Sequence, residues 1–296
     1  MTSAGRALVP SRYGSVPSRY GSRLLQATTG SVGGVFREVG QWVIFIAKAF
    51  SSVPVAVVKY RRQTLQQMNS LAWGRGSLIV DGGAISVLLL LGIAVGASLA
   101  VEAFAVLNII GFGGLSGIIG GIGGVRELGP IVSAVAFAGQ AGCRMTAEIG
   151  AMRIAEEIDA LEAIGLRPIP YVVGTRLIGA MILVVPGYLV ALIANFFVMD
   201  TVIRVFHSQP GGTYNHYFTQ FVTPTDLAYS VIKVAVFCMA VTLIHCYYGY
   251  FASGGPVGVG QASGRAVRTS LITIIFLDLI LTVAMWGLHP VFVFKG

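Results

Sequence analysis

A chain with five apolar runs of membrane length, near residues 83–105, 128–147, 169–199, 227–248 and 269–288, has few folds open to it. Each run is close to or beyond the roughly 20 helical residues that cross a hydrocarbon core. Lipid offers the backbone no hydrogen-bond partner, so a crossing segment must satisfy its own N–H and C=O groups, and the runs read as helices. The expected fold class is an all-α membrane protein with five transmembrane helices. Charge agrees: 11% of the residues are Asp, Glu, Lys or Arg, less than half of the roughly 25% usual in soluble domains.

The formal net charge of +8 does not mark a nucleic-acid binder, because of where the charge sits. Arg6, Arg12, Arg19, Arg23, Arg37, Lys48, Lys59, Arg61, Arg62 and Arg75 precede the first run, against one acid over that stretch, Glu38. Such a bias orients a membrane protein, basic side inward. Residues 103–124 are apolar enough to count as an additional crossing. Two crossings by residue 150 place Arg153, Arg167, Arg176, Arg265 and Arg268 beside inner loops, whereas three reverse all of them. The expectation is five spans in the inner (plasma) membrane, N-terminus cytoplasmic and C-terminus outside.

The chain divides into a tail at 1–32, interfacial and linking helices at 33–75, and a transmembrane domain at 76–296. The tail repeats VPSRYGS at 9–15 and 16–22, carries no apolar core of a signal peptide, and reads as disordered and basic. Val35, Phe36, Val39, Trp42, Val43, Ile46, Ala49 and Phe50 recur at helical steps among charges, as in an amphipathic helix lying in the interface, which Pro54 should end or kink. A second helical stretch, 55–73, leads to the membrane. The glycine-dense run 111–124 is no phosphate loop, since no lysine follows a glycine anywhere; it suits close helix packing or a re-entrant bend. His207 and His216 lie in an outward segment, 200–226, without a ligand-like partner set, and read as solvated. Residues 249–268 read as a glycine-rich inner loop, and Cys143, Cys238 and Cys246 as small apolar side chains with no metal spacing.

Charges inside apolar runs are the first functional candidates. Lys233 lies in IKVAVFCMAVTLI, Asp278 in LITIIFLDLILTV, and Arg126 and Glu127 at the mouth of the second span. A charge at mid-membrane costs roughly 2.5–3.5 kcal/mol on insertion scales, so such groups face partners or a wet cavity. Lys233 is expected to neutralise Glu127 or Asp278, either to fix helix register or to move during transport.

The second candidate is the densest acidic patch, between the second and third runs. Met152–Gly165 reads as a short helix with Ile154, Ile158, Leu161 and Gly165 along one side and Glu156, Glu157, Asp159 and Glu162 elsewhere, ended by Gly165 and Pro168. This pattern suits docking into a groove of a soluble partner, and equally a solvated connector.

VRELGP (125–130), AGQAG (138–142), TAEIGAMR (146–153), EEIDALEAIGLRP (156–168), GVGQASGRAVRTS (258–270) and FLDLILT (276–282) together resemble the MlaE/YrbE family of ABC-transporter permeases, over roughly residues 35–288. The resemblance implies an MlaE-like permease fold of five spans plus an N-terminal interfacial helix. It implies partners: an ABC ATPase dimer that binds ATP and Mg, a second YrbE-type permease, and MCE-domain proteins on the outer side. This chain itself would hold no cofactor. Met152, Arg153, Ile154, Glu156, Glu157, Ile158, Asp159, Leu161 and Glu162 would form the ATPase-coupling helix, and Arg126, Glu127, Lys233 and Asp278 would match the family's membrane-embedded charges. The implied cargo is a lipid, whether fatty acid, sterol or phospholipid, moved inward. Gln140 stands where the family usually has Arg, Arg144 where small residues are common, and Thr175 where a proline is frequent. With the long N-terminus, these departures resemble an actinobacterial YrbE subunit, B-type, of a nonidentical pair. The alternative of another class is a membrane-embedded lipid-modifying enzyme, but no Ser/His/Asp group, metal cluster or carboxylate pair supports it.

Overall fold

The computed structural model describes residues 19–74 and 83–287. They are helical nearly throughout, and no strand occurs among them. In chain order the helices are α1 (Arg19–Lys59), α2 (Arg61–Trp73), α3 (Ala84–Ile109), α4 (Ser116–Ile122), α5 (Gly129–Phe137), α6 (Cys143–Ile154), α7 (Glu157–Ala163), α8 (Thr175–Thr201), α9 (Gly211–Phe221), α10 (Pro224–Tyr250) and α11 (Gly255–Trp286). Four π-helical turns are spliced among them: Gly123–Leu128, Ala138–Gly142, Ile169–Gly174 and Val202–Phe206. The described residues divide into two compact units, with the boundary inside α1 between Phe45 and Ile46. Residues 1–18 of the tail lie outside the described residues, and α1 begins inside the second copy of the repeat.

Among the described residues, six helical segments are long and apolar enough to cross a membrane: Arg37–Lys59, Ala84–Ile109, Gly113–Ile154, Ile169–Phe206, Pro224–Tyr250 and Gly255–Trp286. Five contain the apolar runs of the sequence. The sixth qualifies because α1 does not end at Pro54 but continues to Lys59. Pro54 removes one bond, from its own missing N–H to the carbonyl of Phe50, and the helix runs on through that single gap; on the preceding turn Ser51 and Ser52 donate to the carbonyls of Lys48 and Ala49 at 3.0 and 2.6 Å. The break comes instead at Tyr60 (φ −117°, ψ 33°).

Two further expectations change. The glycine-rich stretch 249–268 is not a loop: only 251–254 separate α10 from α11, which starts with Pro256 in its first turn, where a missing N–H costs nothing. The segment 200–226 contains α9, and His207 is not solvated but half-buried, stacked on Phe104 with ring centroids 3.9 Å apart. His216 is exposed, as expected. The run 111–124 turns at Gly111 and then enters the 42-residue helical segment 113–154 as α4, packed on α9.

α3 and α8 form the most extensive helix pair. Gly92 and Gly96, four apart on α3, allow it: a Cβ at either would collide with the backbone carbonyl of Ala191 or Asn195 on α8. Small residues at this spacing let two helices approach to backbone contact, the main source of cohesion where lipid removes the hydrophobic drive. α10 is the central helix, packed on α5, α6, α8 and α11. Its buried residues include Asp226, Ser230, Lys233, Thr242 and His245, so the bundle has a polar interior to satisfy.

Candidate functional site

Asp226, Ser230 and Lys233 recur at steps of four and three, which places them in one stripe of α10. The stripe faces the π-helical turn 123–128. Ser230 Oγ donates to the carbonyl of Val125 at 2.7 Å and Lys233 Nζ to that of Arg126 at 2.8 Å. Tyr188 of α8 hydrogen-bonds Ser230 from the other side. The locally widened backbone is thus an acceptor wall for α10.

Lys233 is fully buried and gathers its neighbours. Its ammonium donates to Glu127 Oε2 at 3.0 Å and Thr282 Oγ1 at 2.7 Å as well as to Arg126 O, which uses its three protons. Asp278 Oδ1, 2.6 Å away, is held as an ion pair. Thr282 passes its own proton to Glu127 Oε1 at 2.9 Å. Glu127, Lys233 and Asp278 therefore meet at one point, as their placement in apolar runs suggested. Arg126 does not join them: it pairs with Asp226 Oδ1 at 3.1 Å.

Trp286, at the end of α11, links the two pairs. Its indole N–H donates to Asp226 Oδ1 at 2.7 Å, while Arg126 and Lys233 lie 5.4 and 5.6 Å from its ring centre. Asp226, Ser230, Thr282 and Trp286 were not among the sequence candidates. The spacing 226, 230, 233 was the available signal. In formal charge the network holds two cations and three carboxylates. Glu127, Asp278 and Thr282 border an open groove of about 690 Å³ whose other walls are Ile272, Ile275, Phe276 and Leu279 of α11.

The acidic candidate is built differently from its expected form. Met152, Arg153 and Ile154 close α6, and Glu156 then adopts a left-handed conformation (φ 57°) that breaks the helix before α7. At the far end Gly165 is also left-handed (φ 77°), and the N–H groups of Gly165 and Leu166 bond back to Glu162 and Leu161. One helix over 152–165 is thus replaced by an α6 end, a reversal and a seven-residue α7. The expected apolar side shrinks with it. Ile158 is fully buried and Leu161 half-buried, but Ile154 and Gly165 are exposed. Glu156, Glu157, Asp159 and Glu162 all face outward. Arg153 and Asp159 pair at 2.7 Å, an exposed contact of the class that contributes about 0–1 kcal/mol.

Two turns before the end of α6, Glu148 collects what α7 lacks. It accepts from Arg144 Nε at 3.0 Å and from Arg176 Nη2 at 3.1 Å. Arg144 also donates to the carbonyl and hydroxyl of Ser70 at 3.0 and 2.8 Å, and Arg176 to Val172 O at 2.9 Å. One carboxylate therefore ties α6 to α2 and α8. Among the described residues no group of three or more His, Cys, Asp and Glu could hold a metal ion.

Comparison with known proteins places these features. The chain is 30% identical over 206 residues to the intermembrane phospholipid transport system permease protein MlaE of Haemophilus influenzae, covering 69% of this chain and 78% of that one. It is 33% identical over 164 residues to a protein of Rickettsia prowazekii named "Probable ABC transporter permease protein", covering 53% and 61%. It is 28% identical over 161 residues to chloroplastic trigalactosyldiacylglycerol 1 of Arabidopsis thaliana, covering 53% and 45%. The chain thus spans less than two thirds of the length of the rickettsial relative. A family profile described as "Permease MlaE" matches residues 75–284, which include the π-turns, the charge network and α7, and the chain belongs to that family.

Proposed function

We propose that this chain is the permease subunit of an ATP-driven ABC transporter that moves lipid at the inner membrane, with ATP and Mg bound by a separate ATPase dimer. The observation that carries the reading is α7: a short acidic helix between two membrane-length segments, anchored by Ile158 and the half-buried Leu161, with its acids turned outward. The printed names of the Haemophilus and Rickettsia relatives support the same reading. Met152 to Glu162 would then receive the motion of the ATPase, and the Lys233 network would hold the bundle while it moves.

A second permease fits the exposed outer face of α11, where Ile272, Ile275, Phe276 and Leu279 are each more than 60% exposed beside the groove under Glu127 and Asp278. The departures at Gln140, Arg144 and Thr175 favour a nonidentical, YrbE-type partner, with this chain as the B-type member. MCE-domain proteins on the outer side and an inward direction of transport complete the proposal.

The five-span topology is part of it, with α1 in the interface. A Cβ at Gly174 would lie 2.9 Å from Ser52 Oγ and 3.1 Å from Ala56 Cβ, and the Tyr60 ring meets Tyr171 at 5.4 Å. Eight residues along the chain from Ser52 to Tyr60 advance the contact on the other helix by three or fewer, as for a helix lying across the bundle rather than along it.

Purification tests the reading. An ATPase should copurify with the wild-type chain and hydrolyse ATP faster when lipid is added. Glu157→Lys and Asp159→Lys should each weaken that association by about tenfold, the size of one lost charge-assisted contact, with unchanged folding. Unchanged copurification from both variants counts against α7 as the docking element, and product formation from lipid by this chain alone overturns the permease reading.

A further inference from the structure

Beyond the charge network lies a second open groove, of about 590 Å³, walled by one face of α1 and the segment that follows α7. Lys48, Ser51 and Val55, at steps of three and four, supply the α1 wall, and Glu162, Arg167 and Pro168 the opposite one, with Tyr250 at the end of α10 beside them. The left-handed turn at Gly165 brings the chain back so that Arg167 faces this space. Among the described residues neither Lys48 nor Arg167 makes an ion pair. Two cations and one carboxylate leave the groove with one formal positive charge.

The depth of the groove follows from the rest of α1. The neighbouring face of the same turns, Phe50, Val53 and Val57, lines a separate apolar groove with Leu177 and Met181 of α8. One side of α1 is therefore polar and basic and the other oily, the division made by a helix at the boundary between lipid headgroups and acyl chains. A tyrosine at the end of a span sits at the same level.

We infer that the groove between Lys48 and Arg167 binds the headgroup phosphate of an anionic phospholipid from the leaflet on the α7 side. The net positive charge matches a phosphodiester with no compensating amine, and Glu162 is placed to accept from a headgroup hydroxyl and to repel a second phosphate. The bound lipid braces the chain just after α7 against α1. The assignment of that leaflet as cytoplasmic rests on the proposed topology; the site itself does not.

The test uses the full chain purified in neutral detergent and titrated with phosphatidylglycerol, phosphatidylethanolamine or soluble glycerol phosphate, with bound lipid counted by native mass spectrometry. Phosphatidylglycerol should be retained by the wild type. The Lys48→Gln/Arg167→Gln double variant should bind it at least about tenfold more weakly, each lost charge-assisted contact being worth roughly that factor. Lys48→Arg/Arg167→Lys keeps the charges and should retain most of the binding, which separates loss of the site from loss of fold. Equal retention by the glutamine variant overturns the inference. So does equal binding of phosphatidylethanolamine, or displacement by equimolar glycerol phosphate, which would make the groove a free-anion site. No ATPase enters the measurement, so failure of the permease reading shows elsewhere, in copurification.

Discussion

Two acid-rich regions of this molecule follow opposite rules. Around Lys233 every charge is spoken for: Glu127, Asp278, Arg126 and Asp226 have partners within 3.1 Å, and Trp286 closes the remaining gap. On α7 and the turn before it four acids, Glu156, Glu157, Asp159 and Glu162, face outward and one weak pair, Arg153–Asp159, is made. The contrast reflects the medium. Taking a charge out of water costs several kcal/mol unless it is paired and hydrogen-bonded, so buried acids collect partners. An acid in water needs none, and its cost appears only when an apolar or like-charged surface meets it. The inner region is therefore tuned to itself, and the outer one is available to another molecule.

The hardest test of that contrast is to remove its centre. Lys233→Ala leaves Glu127 and Asp278 facing each other without their cation, and should cost about 3–5 kcal/mol, as for other broken buried pairs. Denaturant unfolding of the purified protein in detergent measures this. The triple variant Lys233→Met/Glu127→Gln/Asp278→Asn should recover most of the loss, because partners removed together leave no orphaned charge. If the triple variant is as unstable as the sum of its single substitutions, the inner network is not a coupled unit and the contrast fails.

Glu148 gives a graded case, on the helix that joins the two regions. Its side chain is about one quarter exposed and serves two arginines. Glu148→Gln keeps the shape, surrenders one charge-assisted partner and leaves Arg176, itself buried, short of a counter-ion. The expected loss in the same assay is about 1–3 kcal/mol, below that of Lys233→Ala. An equal loss would mean that exposure does not grade these networks.

The sequence made part of this legible. The spans stood out because apolarity over 20 or more residues has few other uses, and Glu127, Lys233 and Asp278 stood out because charge is rare there. Their partners did not. Asp226 is 100 residues from Arg126 along the chain and Trp286 is 60 from Asp226, and neither is unusual at the end of an apolar run. The π-turns that present Val125 and Arg126 carbonyls leave no compositional mark. Pro54 was expected to end or kink α1, and of the two the end does not occur: one missing N–H is a single gap in the ladder of a 41-residue helix. The split between α6 and α7 was hidden because a glutamate, and not a glycine, makes the reversal.

That glutamate sets the smallest effect. α7 is bracketed by two left-handed residues, Glu156 at φ 57° and Gly165 at φ 77°. A side chain in this conformation costs about 1–2 kcal/mol, whereas glycine gives up about 0.5–1 kcal/mol more in chain entropy on folding. The difference predicts that Glu156→Gly stabilises the protein by about 0.5–1 kcal/mol, and that Gly165→Ala destabilises it by a similar amount. Both are read as shifts in denaturation midpoint against the wild type. A gain at one bracket and a loss at the other would show α7 held by backbone geometry at both ends and its acids unused in the isolated chain. Destabilisation by Glu156→Gly would instead mean that its carboxylate already works within this molecule, and that the outer region is less free than its exposure implies.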